Sequence, residues 1–376
     1  MLKIALNECR IVFKIKTEGP LLIKQDLDSE SLEKRNILND YMRFYNVRDK
    51  KDLPSIGFVR TMRNDRVVPY IPGSSLKGVI RSYAERIART LKGTTDGTCN
   101  PFSKIEKDKQ GRAKRSSIGD DLSCSDKFIL RKEYIKEDLD SYKVYRDACP
   151  ICKLFGCNFL KSRIEIPDGY SDYTSAPTYS NQFVRLPRRH GVGIDRFTSS
   201  AKSGVLFNYE VEEENKVFSF NDIFLTTFEL WQLGLLGYIF DDFKDQIVKL
   251  GFGKSRGLGK VSGEIESISI TYFGRYKPPD GKLMGVGKLI NDNRYWHKDF
   301  MGTEEINLSH CPPIISNGFR HTYKFVTSEQ KEALFGELKK LWSAEDDTGF
   351  INSVYTLPHE MSKDYFLENI PEDKLV

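Results

Sequence analysis

A chain of 376 residues with 39% hydrophobic and 30% charged side chains can bury a substantial core, as two domains or as one domain carrying insertions. Its net charge of +5 permits a polyanionic partner without requiring one, so the placement of the cations has to decide. No run has the apolar length of a membrane span, and Glu8, Arg10 and Lys14 interrupt the start where a signal peptide needs an unbroken apolar stretch. A cytoplasmic protein with no membrane partner is expected, and in that reducing compartment the seven cysteines do not read as a disulfide framework.

Residues 10–17, RIVFKIKT, alternate apolar and basic as a half-buried strand does, and Gly19 and Pro20 end the run. The stretch from Leu21 to Asp52 turns polar, with Asp26, Asp28, Glu30 and Glu33 close together. A loop that follows a core strand and carries several acids is a candidate catalytic or metal-binding element; a solvated acidic loop is the plain alternative. The segment 67–91, VVPYIPGSSLKGVIRSYAERIARTL, organises the rest. Leu76, Val79, Ile80, Tyr83, Ile87 and Leu91 recur at three- and four-residue steps, which predicts a helix from about Ser75 with one buried face. The other face carries Lys77, Arg81 and Arg89, and Ser74 or Ser75 is placed to cap the first turn. An open helix N-terminus beside a lysine suits an anion, with a capped core helix as the plain alternative.

Between Lys92 and Asp147 the sequence breaks into short charged runs, which predicts an insertion that is partly disordered or ordered by a partner. ACPICKLFGC follows, spacing Cys149, Cys152 and Cys157 as C-x2-C-x4-C. The first pair has the spacing of a zinc knuckle, in which two thiolates on one turn meet a single tetrahedral ion. A fourth ligand has to return from elsewhere. Cys99 is preferred because it lies just beyond the helix, with Cys124 as the alternative; small buried hydrophobes are the plain reading of the whole set. Redox chemistry is not indicated, since no strand-to-helix junction is expected at the pair.

Residues 159–168 resume a strand pattern. The region 180–207 then interleaves Arg185, Arg188, Arg189, His190, Arg196 and Lys202 with Phe183, Phe197 and Phe207. Cations among aromatics on a flexible hairpin suit a single-stranded nucleic acid, because guanidinium groups bind phosphate and rings stack on bases. Two short strands follow, and Thr226 with Glu229 reads as a capping box opening a broadly apolar helix that runs toward Leu250. In GFGKSRGLGKV, Gly251, Gly253, Gly257 and Gly259 let the backbone approach a ligand while Lys254, Arg256 and Lys260 supply charge. It is neither a P-loop, since Val248 stands where the first glycine is needed, nor a dinucleotide loop, since Arg256 takes the third glycine position. A closing strand ends at Phe273, and beyond the hinge KPPDG one capped helix begins at Thr327 with Gln330, placing Leu334, Leu338 and Leu341 on one side. That part is expected to pack on the core or on a neighbouring subunit.

In fixed order, YIPGSSLKGVIR (70–81), GIDRFTSSAKSGVLF (193–207) and GFGKSRGLG (251–259) resemble the CRISPR-associated RAMP superfamily over residues 1 to about 272. The resemblance implies an α+β chain: a ferredoxin-like or RNA-recognition-motif core with an antiparallel sheet over 1–272, an insertion at about 92–158 with a zinc knuckle, a thumb hairpin at about 180–207 and a C-terminal extension over 273–376. CPICKLFG and IDRFT look most like backbone subunits of type III effector complexes, which bind a guide crRNA and a target RNA beside other effector subunits in antiviral defence. By that resemblance Lys77, Arg81 and the glycine-rich loop hold guide phosphates, and the thumb inserts between bases. An aspartate after the first strand then cuts the target with Mg or another divalent cation, leaving a 2',3'-cyclic phosphate. Asp26 or Asp28 is the candidate endoribonuclease residue here, with Lys24 and Gln25 in place of the family's glycine pair.

Alternatives remain. A structural or cap subunit of the same complex would bind guide RNA and cut nothing, and a guide-processing endonuclease would need His190 for acid–base work. A generic zinc-stabilised RNA-binding protein would explain the basic hairpin but not the ordered motifs.

Overall fold

Strict alternation in the first strand sets the architecture: Cys9, Ile11, Phe13 and Ile15 are buried, whereas Arg10 is exposed and Lys14 and Lys16 are only half-buried. A strand patterned in this way asks for helices on one face and water on the other. The computed structural model describes residues 4–26, 38–95, 97–179, 182–290, 305–342 and 358–376. In chain order the strands are β1 (Asn7–Thr17), β2 (Lys24–Asp26), β3 (Ile56–Phe58), β4 (Arg60–Arg63), β5 (Arg66–Ile71), β6 (Ile164–Glu165), β7 (Gly169–Tyr170), β8 (Arg188–Ile194), β9 (Ala201–Glu210), β10 (Val217–Thr226), β11 (Val261–Phe273), β12 (Lys282–Met284), β13 (Glu305–Asn307), β14 (Ile315–Asn317) and β15 (Arg320–Phe325). The helices are α1 (Leu38–Phe44), α2 (Gly73–Lys92), α3 (Cys124–Ile129), α4 (Ser141–Asp147), α5 (Pro150–Phe155), α6 (Leu230–Lys244), α7 (Val286–Ile290), α8 (Ser328–Lys340) and α9 (Lys363–Asn369). None of them is long and apolar enough to cross a membrane.

The main sheet runs β14-β15-β11-β1-β10-β7-β5-β4, with β6 also on β10. Central β1 pairs antiparallel with β10 and with β11. Phe13 projects from β1 onto α6, its ring centroid 5.0 Å from Phe240 and 5.2 Å from Phe243. Helix α6 is apolar nearly all round because it is covered twice, by the sheet and by α8, whose following Trp342 donates its indole N–H to the Trp231 carbonyl at 2.7 Å. A second sheet, β2-β3-β9-β8, carries the hairpin of β8 and β9.

Several local expectations change. The helix at 67–91 begins at Gly73, capped by Pro72 without a side-chain bond, and Ser74 and Ser75 are both exposed in its first turn. Gly73 is needed there because an added Cβ would lie 2.0 Å from the Ile166 carbonyl oxygen. The capping residue of α6 is Glu229, whose N–H bonds Gln232 Oε1 at 3.1 Å, while Thr226 ends β10. The polar insertion is ordered, and this chain supplies the ordering: Ala113, Ile118, Leu122, Leu130 and Tyr134 bury Phe366, Ile370 and Leu375. Backbone bonds from Ala113 N to Lys374 O (2.9 Å) and from Val376 N to Ala113 O (3.0 Å) lock the last residues against it. Charge density suggested disorder because these apolar partners are distant in sequence.

Candidate metal centre and nucleic-acid interface

Cys99, Cys124, Cys149 and Cys152 converge with their sulfurs within 4.8 Å of one another, and all four are buried. The Cys99–Cys152 and Cys99–Cys149 separations are 3.5 and 3.6 Å. Four thiolates bound at about 2.3 Å to a tetrahedral ion stand roughly 3.8 Å apart, so the donor set fits such an ion. Hydrogen bonds among the sulfurs lower the Cys149 thiol and push Cys124 and Cys152 up, the pattern of one thiolate shared within the cluster. Both upstream cysteines therefore enter the set, and Cys157 falls outside it. The chain reverses direction at Gly156 (φ 85°), after which Cys157 N–H bonds the Leu160 carbonyl and the residue is only half-buried. The pair does open a helix, α5, with Cys149 as its cap, but it follows helix α4 instead of a strand.

The basic face of α2 turns toward this knuckle. Lys77 Nζ donates to Ser162 Oγ at 2.8 Å and to the Ile164 carbonyl at 3.0 Å, and burial followed by Arg81 lowers its pKa. Arg81 donates to Glu85, to the Gly156 carbonyl at 3.2 Å and to Cys152 Sγ at 3.5 Å. The helix N-terminus itself is taken by a carboxylate, Asp168 Oδ1 accepting from Gly73 N–H at 2.8 Å. Lys77 and Arg81 thus brace the cysteine region, contacts that their spacing on one helix face did not reveal.

The glycine-rich loop lies elsewhere. Gly251, Gly253, Gly257 and Gly259 all take φ between 74° and 83°, and a Cβ on Gly251 or Gly259 would sit 2.2 or 2.0 Å from a backbone carbonyl oxygen. Phe252 N–H to Leu22 O (2.7 Å) and Gly259 N–H to Pro20 O (2.8 Å) fasten the loop to the end of β1, leaving Lys254, Ser255 and Arg256 exposed at its apex. There it meets the hairpin and β2. The Arg256 guanidinium stands 5.7 Å from the Phe207 ring and 5.9 Å from Phe252, and Lys24 Nζ stands 5.9 Å from the same Phe252. Asp26 ends β2 opposite Ile56, and Asp28 lies outside the described residues. At the hairpin tip Asp195 Oδ1 accepts the Phe197 and Thr198 N–H groups at 2.9 and 3.0 Å. That turn leaves Phe197 99% and Ile194 66% exposed. Arg185, Arg189 and Arg196 are exposed, the Arg185 guanidinium standing 5.3 Å from the centre of the Tyr179 ring, whereas Arg188 is half-buried and donates to the Asp52 carbonyl at 2.9 Å. His190 pairs in register with Asn208, which offers no acid–base chemistry.

The profile of the RAMP superfamily matches residues 14–262, a span running from β1 to the start of β11 and containing both the hairpin and the glycine-rich loop. The chain belongs to the RAMP superfamily. No curated protein matches it. Membership gives this RAMP protein a CRISPR-associated, RNA-binding role.

In this RAMP protein the hairpin is rooted by groups that sequence reasoning missed. Arg60 of β4 pairs bidentately with Glu210 at the end of β9, at 2.6 and 3.0 Å, both side chains almost fully buried. Tyr45 OH and Phe58 N–H complete the carboxylate at 2.8 and 3.1 Å, and Phe183 lies against the guanidinium at 4.5 Å. A lone arginine in FVRTM and one glutamate among several in NYEVEEE carry no spacing signal that could have paired them.

Proposed function

We propose that this protein is a guide crRNA-binding backbone subunit of a type III CRISPR effector complex, holding the RNA strand on the corner where the glycine-rich loop, β2 and the hairpin meet. The observation that carries this reading is the cluster of Lys24, Phe252, Arg256 and Phe207, which joins exposed cations to aromatic faces from three separate segments. The strand order β11-β1-β10-β7, with α2 and α6 in the connections, supports a ferredoxin-like core. Phe197 and Ile194 at the hairpin tip are the wedge, since an exposed ring on a fixed turn can enter between bases.

The four-cysteine set would hold a structural zinc ion: all four ligands are buried, and four thiolates fill the positions of a tetrahedral ion. When bound, the ion supplies cross-linking of the insertion, and Arg81 offsets part of the thiolate charge.

Target cleavage is assigned to the loop at Asp26 and Asp28, which starts two residues beyond Lys24. Those carboxylates would hold a divalent ion, which would supply neutralising charge at the scissile phosphate. The RNA does the rest: its 2'-oxygen bonds to phosphorus, losing its proton, while the 5'-oxygen leaves with a proton and a 2',3'-cyclic phosphate remains. A scaffold subunit is the second reading. It is favoured by Gln25, which is tied to the Tyr41 hydroxyl where the resemblance expects a pliant glycine pair.

Lys254→Ala with Arg256→Ala should weaken guide binding and flatten its salt dependence by about 0.7 for each phosphate no longer neutralised. Asp26→Ala with Asp28→Ala should stop cutting while leaving binding intact. Guide binding indifferent to the loop pair would refute the interface, and undiminished cutting by the aspartate pair would leave the scaffold reading.

A further inference from the structure

We infer that a groove beside the hairpin root is a nucleotide seat, taking one unpaired RNA nucleotide with its phosphate on Arg185 and Arg188 and its base against Tyr179. The groove holds about 620 Å³ and is lined by Tyr45, Val47, Pro177, Tyr179, Arg185 and Arg188 among others, with no carboxylate among the described lining residues. That volume lies within the range of about 300–1,000 Å³ typical of small-molecule sites. Each guanidinium rests on a ring, Arg185 at 5.3 Å from Tyr179 and Arg188 at 5.6 Å from Tyr45, so cation and stacking surface are offered together.

Among the described residues neither arginine has a carboxylate partner. Arg188 donates to the Asp52 carbonyl, and its Nε has no hydrogen-bond partner. The nearest buried acid, Glu210, is already filled by Arg60, Tyr45 and Phe58, so the groove keeps its positive charge. Its floor is rigid. Tyr45 is pinned through its hydroxyl and packs 4.9 Å from Phe183, which itself stacks on Phe44 at 5.5 Å. Two cations beside a half-buried ring, with no acid among the described lining residues, suit a phosphate joined to a flat base better than an acidic peptide, which would leave the ring unused.

The proposal rests on the RNA-binding reading but concerns residues distinct from the loop corner. Full-length protein is mixed with a short oligouridylate containing 4-thiouridine, irradiated and mapped by peptide mass spectrometry, and affinity is measured by anisotropy at several salt concentrations. A crosslink within 177–188 is expected. Tyr179→Ala should weaken binding by about fivefold to a hundredfold, Tyr179→Trp should restore it, and Arg185→Ala should lower the salt slope by about 0.7. The melting temperature of Arg185→Ala should match the wild type, and Tyr179→Trp controls for the packing that Tyr179 makes with Tyr45 and Phe183. Wild-type affinity in Tyr179→Ala and Arg185→Ala, with weakened binding in Lys254→Ala and Arg256→Ala, overturns the seat and keeps the loop interface. Absence of RNA binding by the wild type overturns the parent reading, and competition by an acidic peptide with no crosslink at 177–188 overturns the seat in favour of a protein ligand.

Discussion

The cysteine-bearing insertion and the hairpin are both polar, cation-rich stretches of sequence, yet the fold uses their charges in opposite ways. In the insertion Arg131 and Lys127 turn inward: Arg131 is 1% exposed and bonds Asp147 and Glu137 at 2.7–2.8 Å, and Lys127 reaches the Asp120 carbonyl at 2.7 Å, while Lys104, Lys109 and Lys132 stay exposed. Arg81 of α2 reaches in to a cysteine sulfur. In the hairpin a backbone ladder does the holding, and Arg189, Arg196 and Phe197 stand in water. A buried cation whose donors are filled stabilises one conformation, whereas an exposed one remains available to phosphate. Cation density therefore does not locate a nucleic-acid surface; the state of each donor does.

The strongest way to separate the two regions is to remove the proposed zinc ion. Chelation or Cys149→Ser should release the insertion at a cost of several kcal/mol, since structural zinc in small folds contributes roughly 10–16 kcal/mol of apparent binding energy at neutral pH. Segment-resolved hydrogen exchange should rise across 97–160 and stay low in β1, β10 and β11. Cys157→Ser should keep full metal content by elemental analysis, whereas Cys124→Ser should lose it; the reverse pattern would redraw the ligand set.

Next comes the hairpin root, the one place where the exposed element depends on a buried pair. Glu210→Ala strands the Arg60 charge and should lower stability by about 3–5 kcal/mol in a denaturant melt, with exchange increasing in β8 and β9. An unchanged melt would mean that the ladder alone carries the hairpin.

Phe197→Ala tests the opposite limit. The melt should stay within about 0.5 kcal/mol of wild type, while RNA affinity falls by about 1–3 kcal/mol if the ring stacks on a base. Equal effects on both would contradict the division between a holding region and a presenting region.

The smallest effect is acid dependence in the insertion. Hydrogen bonds from Arg131, opposed by burial, keep the Glu137 carboxyl below its ordinary value of 4.5. A depressed carboxyl stabilises the fold fully above that ordinary value, and the contribution is lost as pH falls through the lower folded value. Exchange in residues 131–147, corrected for intrinsic rates, should therefore be flat from pH 7 to 5 and rise below about 4.5. Glu137→Gln should remove the dependence.

Much of the framework was legible from local pattern. Alternation marks β1, the Thr327–Gln330 box opens α8 as read, and four glycines in eleven residues mark a loop in which every one takes a left-handed φ. The CxxC spacing likewise pointed to a thiolate site. Missing from the sequence was the destination of each face: Lys77 and Arg81 share a helix side with the right spacing for phosphate, but that side lies against Ser162, Gly156 and Cys152.

Periodicity and turn chemistry act within a few residues, and so the chain's local order was enough to specify its strands, its capped helices, its glycine turns and its place in the RAMP superfamily. Pairings across long separations belong to the tertiary fold alone: Cys99 and Cys124 both joining Cys149 and Cys152, Arg60 meeting Glu210, Ala113 meeting Leu375. Each unites residues between 25 and 262 positions apart in the numbering, and no local signal encodes a contact whose closure depends on how the whole sheet and its helices pack.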